Sequence, residues 1–324
     1  MTRKILPLFL LLLLGGGAAG AQQLGHYSLF WLDPVQFNPA YAGLDNSLSV
    51  TATYRTQWTG LPGQPSSQQV SAHLPVYYLS SGFGVEAERD ELGARSLTRF
   101  GASWNYQFVT STAVWSVGVS GRYYQMNLDG AALRTPEGDY TEPNFVIHND
   151  GLLPTGNEGA GTLTFAAGVY YQAERLEGGL SVRNLTESVI GFPGLDYRLG
   201  RQYHGYLRAR FDVLRAWEIS PLVSVMSDGI QHQVTTGVIG RYDENFFGGL
   251  AYRGYNNQST DAIILMAGLN LSEKLSVAYA YDLTLSDLRT VQDGSHEITL
   301  KYNLRQRIGA GVPPPIIFNP RTKQ

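Results

Sequence analysis

Six histidines, His26, His73, His148, His204, His232 and His296, are the side chains here best suited to moving protons or binding metal, and their spacing suits neither task. No HExxH sets two imidazoles one helical turn apart, and no GxSxG lifts a serine onto a strand-to-helix elbow. Ser103, His73 and Asp212 offer the residue types of nucleophile, base and orienting acid, but any chain with many polar strand residues yields such triples. Asp150, Asn157 and Glu158 could hold calcium through oxygen, although they lack the spacing of an EF-hand loop. The charged residues form a more ordered set. Arg55, Arg99, Arg122, Arg183, Arg208, Arg210 and Arg253 fall on the same alternation within their segments as Glu86, Glu88, Asp212, Asp282, Glu297 and Lys301. Such residues can pair with one another, since a guanidinium fork meets a carboxylate with two bonds; the alternative use is a selectivity lining for a solute channel. Neither use breaks a bond, and no cofactor, metal or catalytic residue is expected.

The chain that carries these residues reads as exported. Arg3 and Lys4 precede the apolar run Ile5–Leu14, and Ala19-Gly20-Ala21 supplies small residues for cleavage, so residues 1–21 read as a signal peptide too short to span a bilayer. Removing Arg3 and Lys4 from the 24 cationic residues leaves 22 against 27 acidic ones, a net charge of −5 with no basic tract, which argues against nucleic acid as a partner. With no cysteine there are no disulfide staples and no lipid anchor on an N-terminal cysteine. No later apolar run is long enough for a transmembrane helix, so a membrane protein of this sequence must cross with closed strands that pair every backbone group.

Alternation supplies the strands. Phe100, Ala102, Trp104, Tyr106 and Phe108 alternate with Arg99, Gly101, Ser103, Asn105 and Gln107, and Trp115 to Tyr124 repeats the pattern. Fourteen such segments are predicted: 47–56, 68–76, 83–88, 98–108, 113–125, 161–172, 178–186, 201–212, 217–226, 231–242, 246–253, 262–271, 275–283 and 295–304. In the ninth, Pro221 must face a bulge or an unpaired position. Connections after even-numbered segments are short and those after odd-numbered ones long, apart from 227–230. Aromatics flank the short turns, at Tyr77, Tyr78, Phe108, Trp115, Tyr171, Phe211, Trp217, Tyr242 and Phe246. A large soluble β-sandwich or propeller would alternate similarly, but no blade-length repeat is present. The expected fold is therefore all-β: a transmembrane, antiparallel, up-and-down barrel of about fourteen strands, of the outer-membrane type, with both termini in the periplasm.

Two motifs carry a family resemblance. Asn38-Pro39-Ala40-Tyr41-Ala42-Gly43, followed by Tyr54-Arg55-Thr56-Gln57-Trp58, resembles the opening of the PorP/SprF family, outer-membrane barrels of the type IX secretion and gliding machinery of Bacteroidota. Gly294-Ser295-His296-Glu297, after Tyr281-Asp282, resembles the family's final strand. The resemblance implies a non-enzymatic component that helps export proteins bearing a type IX C-terminal signal or retains them at the surface. It also implies, as partners, outer-membrane lipid, other type IX components, a periplasmic peptidoglycan-binding lipoprotein and an adhesin-like cargo.

The resulting organisation is a signal peptide (1–21), a periplasmic or plugging segment (22–46), a barrel (47–304) and a periplasmic tail (305–324). Residues 38–43 are expected either to cap the barrel from inside or to offer a docking surface. Arg99, Arg122, Arg208, Arg210, Asp212 and Asp282 are expected to line the lumen. The expected function is docking of protein partners without catalysis; the alternatives are a passive porin and an outer-membrane hydrolase.

Overall fold

The computed structural model describes residues 26–141, 147–214, 216–255 and 259–306. The expected signal peptide and residues 307–324 of the expected tail lie outside the described residues.

Among those residues the chain forms β1 (Ser49–Thr56), β2 (Ser66–Val76), β3 (Ser81–Leu92), β4 (Arg95–Val109), β5 (Ala113–Asp129), β6 (Asn157–Ala173), β7 (Leu176–Arg183), β8 (Val189–Phe192), β9 (Leu195–Arg198), β10 (Gln202–Ala209), β11 (Phe211–Leu214), β12 (Trp217–Ser227), β13 (His232–Tyr242), β14 (Phe246–Arg253), β15 (Ala262–Asn270), β16 (Leu275–Thr284) and β17 (Ser295–Asn303). β10 and β11 are one wall strand interrupted at Arg210, and β8–β9 is a separate hairpin. The rest is a closed antiparallel barrel of 14 strands, each paired with its neighbour in sequence. Closure joins β1 to β17, with Arg55 opposite Glu297 and Thr56 opposite His296. No helix among the described residues is long and apolar enough to cross a membrane.

The alternation sorts side chains inside out. In β5, Trp115, Val117, Val119 and Tyr123 are exposed outward, while Ser116, Ser120 and Arg122 are buried. Around one end of the barrel, where the connections are short, Tyr78, Phe108, Trp115, Phe211, Trp217, Tyr242 and Phe246 stand exposed as a girdle. Rings pair across neighbouring strands, Trp115 with Tyr171 at 4.6 Å and Trp217 with Tyr242 at 5.0 Å. This is the turn end; the opposite one is the loop end.

Each predicted segment overlaps a wall strand, but several strands run further. The expected loop 89–97 shrinks to Gly93 and Ala94, because the β3–β4 ladder continues to Leu92 opposite Arg95. The 17 residues of β5 reach roughly 55 Å at ~3.3 Å per residue, more than the ~10 residues a tilted crossing needs. Beyond Tyr123 the outward row turns polar, with Gln125 and Asn127, so that part of the ladder stands in water. There the inward row turns apolar: Tyr124 and Met126 pack with Leu97 and with Ile190, Phe192 and Leu199 around the β8–β9 hairpin. Pro221 behaves as its missing N–H requires. It pairs in register with Val238 on one side, and on the other it lies opposite the break between β10 and β11.

Candidate functional site

Residues 26–46 run through the lumen. Three one-turn 3-10 helices carry them, Phe30–Leu32, Pro34–Gln36 and Pro39–Tyr41. Proline opens the second and third turns, where its fixed φ suits a helical start and its missing N–H is not needed. The rings of this segment reach the wall in several directions: Phe30 to Tyr206 (5.8 Å), Trp31 to Phe247 (5.5 Å), Phe37 to His204 (4.8 Å) and Tyr41 to Tyr170 (5.0 Å). Together they make the main core of the molecule.

The Asn38–Gly43 motif is seated in the wall. Asn38 is extended before its proline; its side-chain oxygen accepts from Ala40 N (3.0 Å), and its amide donates to Val169 O (2.9 Å) and Leu180 O (3.3 Å). Asn105 Nδ2 donates to the carbonyls of Ala40 (2.9 Å) and Ala42 (2.6 Å). Gly43 takes φ +78°, and its N–H donates to His73 Nδ1 at 3.0 Å. Glycine on the facing wall permits this approach: a Cβ on Gly82 would strike the Ala42 carbonyl, one on Gly118 the backbone of Ala40, and one on Gly168 or Gly179 the Asn38 side chain. All six motif residues are buried, so in this arrangement they form an internal seat and present no outer surface.

Charged clusters hold the rest of the segment. At the seam, Arg55 Nη2 meets Asp282 Oδ2 (2.7 Å), Arg55 Nη1 meets Glu297 Oε2 (3.1 Å) and Arg253 Nη1 meets Asp282 Oδ2 (2.8 Å). Ser28 sits among them, donating Oγ–H to Asp282 (2.6 Å) and its N–H to Glu297 (2.7 Å), while Leu29 N–H donates to the other Glu297 oxygen (2.8 Å). A second cluster joins Glu86 and Glu88 to Arg122 and Arg99; Tyr27 OH donates to Glu88 (2.9 Å) and Arg122 donates to Gln36 O (3.2 Å). Toward the turn end Asp45 accepts from Lys301 (2.6 Å), Ser49 (2.7 Å) and Tyr41 (2.7 Å), and Glu177 pairs with Arg208 and Arg210.

Burial acts on the segment's own acids and bases. It pushes the Asp33 carboxyl up to about 7 despite bonds from Ser71 and Gln69. Burial also works to raise Asp45, but Lys301 and His73 overcome it and hold that carboxyl well below the usual range. Burial, with Arg253 and Arg55 adding repulsion, lowers His26 to about 3, so its imidazole is neutral.

The two family motifs, distant in sequence, meet at the seam. Beyond the Arg55–Glu297 pair, Trp58 N–H donates to Ser295 Oγ (3.2 Å) and Thr59 N–H to Gly294 O (2.9 Å). Gln57 N–H instead closes its own loop on Pro65 O (2.9 Å). Tyr54 and His296 face outward, the latter bonded to Tyr279 OH at 2.6 Å. Of the expected lumen charges, Arg99, Arg122, Arg208, Arg210 and Asp282 take part in clusters. Asp212 does not: it lies past the break at Arg210, exposed on β11, and joins no ion pair among the described residues. That position also removes the Ser103, His73 and Asp212 triple, since His73 is committed to Gly43 and Asp45 and Gly84 separates it from Ser103 in the ladder. His204 contacts Ser224 Oγ at 2.9 Å beneath the Phe37 ring, with no carboxylate bonded to the imidazole among the described residues. In the loop, Asp150 accepts from Leu152 N–H in its own turn, while Asn157 and Glu158 enter β6. Sequence reasoning missed Tyr27, Ser28, Asp33, Asp45 and Glu177. The first four sit in irregular backbone without alternation, and Glu177 sits just before the segment predicted to begin at Gly178.

Comparison with known proteins agrees with this architecture. The family described as type IX secretion system membrane protein PorP/SprF matches residues 19–302, and the chain belongs to that family. Among solved structures, the Ralstonia pickettii toluene transporter TbuX shares the fold, with a TM-score of 0.51 and 14% identity over 83% of this chain and 92% of that one. The Pseudomonas putida toluene transporter TodX aligns with a TM-score of 0.47 and 11% identity over 86% and 93% of the two chains. No individual curated protein gives a significant match.

Proposed function

Taking that membership as its premise, we propose that this barrel is a non-catalytic docking component of type IX secretion, which supports export or surface retention of cargo through protein–protein contacts. The observation that carries the reading is the filled lumen. Backbone and side chains of residues 26–46 are bonded to walls on β1 to β7, β14, β16 and β17, and pack on β10. A lumen committed to its own chain has less room for a solute path, which favours this reading over a passive porin. The turn end, with Gln306 bonded to Ser47 (2.8 Å), faces the periplasm, and the long loops face outward. The resident partners are other type IX components, among them a periplasmic peptidoglycan-binding lipoprotein, and the transient one is a secreted adhesin-like protein. Lipid holds the outer wall.

Crosslinking in native membranes followed by pull-down of the full chain tests this. Recovery of type IX components together with an exported protein bearing the C-terminal signal supports the proposal. Recovery of neither, from cells in which that cargo still reaches the surface, contradicts it.

A further inference from the structure

The lumen segment runs in the direction opposite to β1. That strand climbs from the turn end, where Ser49 lies opposite His73 and Asn303, to the loop end, where Thr56 lies opposite His296. Near the top of the climb, Ser28 Oγ accepts from Arg55 Nη1 (3.1 Å) and Arg253 Nη2 (2.8 Å). Lower down, Asp33 accepts from the Ser71 hydroxyl (2.7 Å), and Ser71 pairs with Thr51. At the level of Ser49, Gly43 N–H reaches His73, and Asn46 O accepts from Tyr77 OH (2.6 Å) in the β2–β3 connection. From Arg55 to Ser49 the drop is roughly 20 Å at ~3.3 Å per residue.

His26, where the described chain starts, therefore stands at the loop-end mouth. It lies among Arg183 at the end of β7, Gln202 at the start of β10, and Asp228 and Gln231 in the β12–β13 connection. The chain before it has one way out. Strand pairing closes the wall around it. The lumen beneath it is taken by its own continuation, where Phe30, Trp31 and Phe37 pack with Tyr206, Leu222 and Phe247 in one buried cluster. We propose that the chain is threaded through its own barrel from outside to inside, so that the end preceding His26 is offered at the cell surface beside the long loops. This departs from the expectation that both termini lie in the periplasm, because a plug that crosses a lumen once leaves its two ends on opposite sides. Ser47 and Gln306, bonded to each other, stay at the turn end. The placement rests on the proposed reading that the turn end faces the periplasm. Periplasmic components then reach the segment only near Asp45 and Asn46, and an exported protein at the surface meets the other end.

The chain has no cysteine, so single-cysteine variants of the full chain, labelled on intact cells with a membrane-impermeant maleimide, test this. Leu152→Cys marks an exposed position in a long loop, and Glu174→Cys marks an exposed one in the β6–β7 turn. Gly25→Cys should label on intact cells as fully as Leu152→Cys, each measured against its own signal in denaturant. Glu174→Cys should label only after the outer membrane is permeabilised. Gly25→Cys reacting together with Glu174→Cys, or in denaturant alone, would overturn the proposal. If the two controls exchange behaviour, the turn end does not face the periplasm, and the surface position of the chain end is overturned with it. Threading then stands or falls on which control Gly25→Cys follows.

Discussion

The two halves of β5 obey opposite rules. Between Trp115 and Tyr123 the apolar side chains face out and Ser116, Ser120 and Arg122 face in; past that level Gln125 and Asn127 face out while Tyr124 and Met126 face in. One strand thus passes from a wall immersed in lipid to an ordinary half-buried ladder in water. The backbone pairs continuously through both, from Ala113 opposite Ala173 to Asp129 opposite Asn157. Pairing is common to the two solvents, then, and the side-chain pattern alone marks the boundary. What lies inside also differs. The lipid-embedded part holds its lumen segment with ion pairs and hydrogen bonds, and the projecting part closes over an apolar cluster under the β8–β9 hairpin.

The largest effect that would break this contrast is expected at the seam. Arg55→Met leaves Asp282 and Glu297 with less counter-charge in a buried site and should destabilise the barrel by about 3–5 kcal/mol in urea unfolding from lipid vesicles. On the outer wall, Val119→Arg places a charge midway along the apolar row and should cost about 2–4 kcal/mol in the same assay. Asn127→Arg, on the same face but above the lipid, should stay within about 0.5 kcal/mol. Equal costs for these two would erase the boundary. Gly118→Val pushes a side chain into the backbone of Ala40 and should cost about 1–3 kcal/mol, seen as faster proteolysis within residues 26–46.

The smallest effect is in pH. Asp33 has an ordinary value of 3.8 and is raised to about 7 by burial, with Oδ1 free of any bond and able to carry the proton. The folded chain therefore holds a proton that the unfolded chain has released. The stability is fully present below the unfolded value, declines as pH rises, and is lost above about 7. Asp33→Asn should flatten that slope between pH 4 and 7 in unfolding midpoints, and an unchanged slope would reassign it.

The parts legible in the sequence are those that lipid dictates. Alternation fixed which residues of β4 and β5 face out, the short connections marked one end, and Pro221 announced a break in its neighbour before that break was visible at Arg210. The parts that were not legible lie where lipid exerts no selection. The β3–β4 ladder past Glu88 carries Arg89, Glu91 and Ser96 on outward positions and reads as loop, because a strand in water needs no apolar outer face. The β8–β9 hairpin hid in a long connection for the same reason. Within residues 26–46 the residue types were suggestive, but irregular backbone gives no register. Nothing in the sequence alone placed Ser28 between Arg55 and Glu297, or Asp45 beside Lys301. Asp212 shows the converse: the alternation runs on through the break in unchanged register, but it does not tell that this end residue stands exposed at the turn end, in no ion pair among the described residues.

Single-channel recording in planar bilayers tests the central claim, that the chain occupies its own lumen. The full chain should give no large, steady openings, and a variant lacking residues 26–46 should give them. A full-length barrel that conducts as freely as the shortened one would contradict the account.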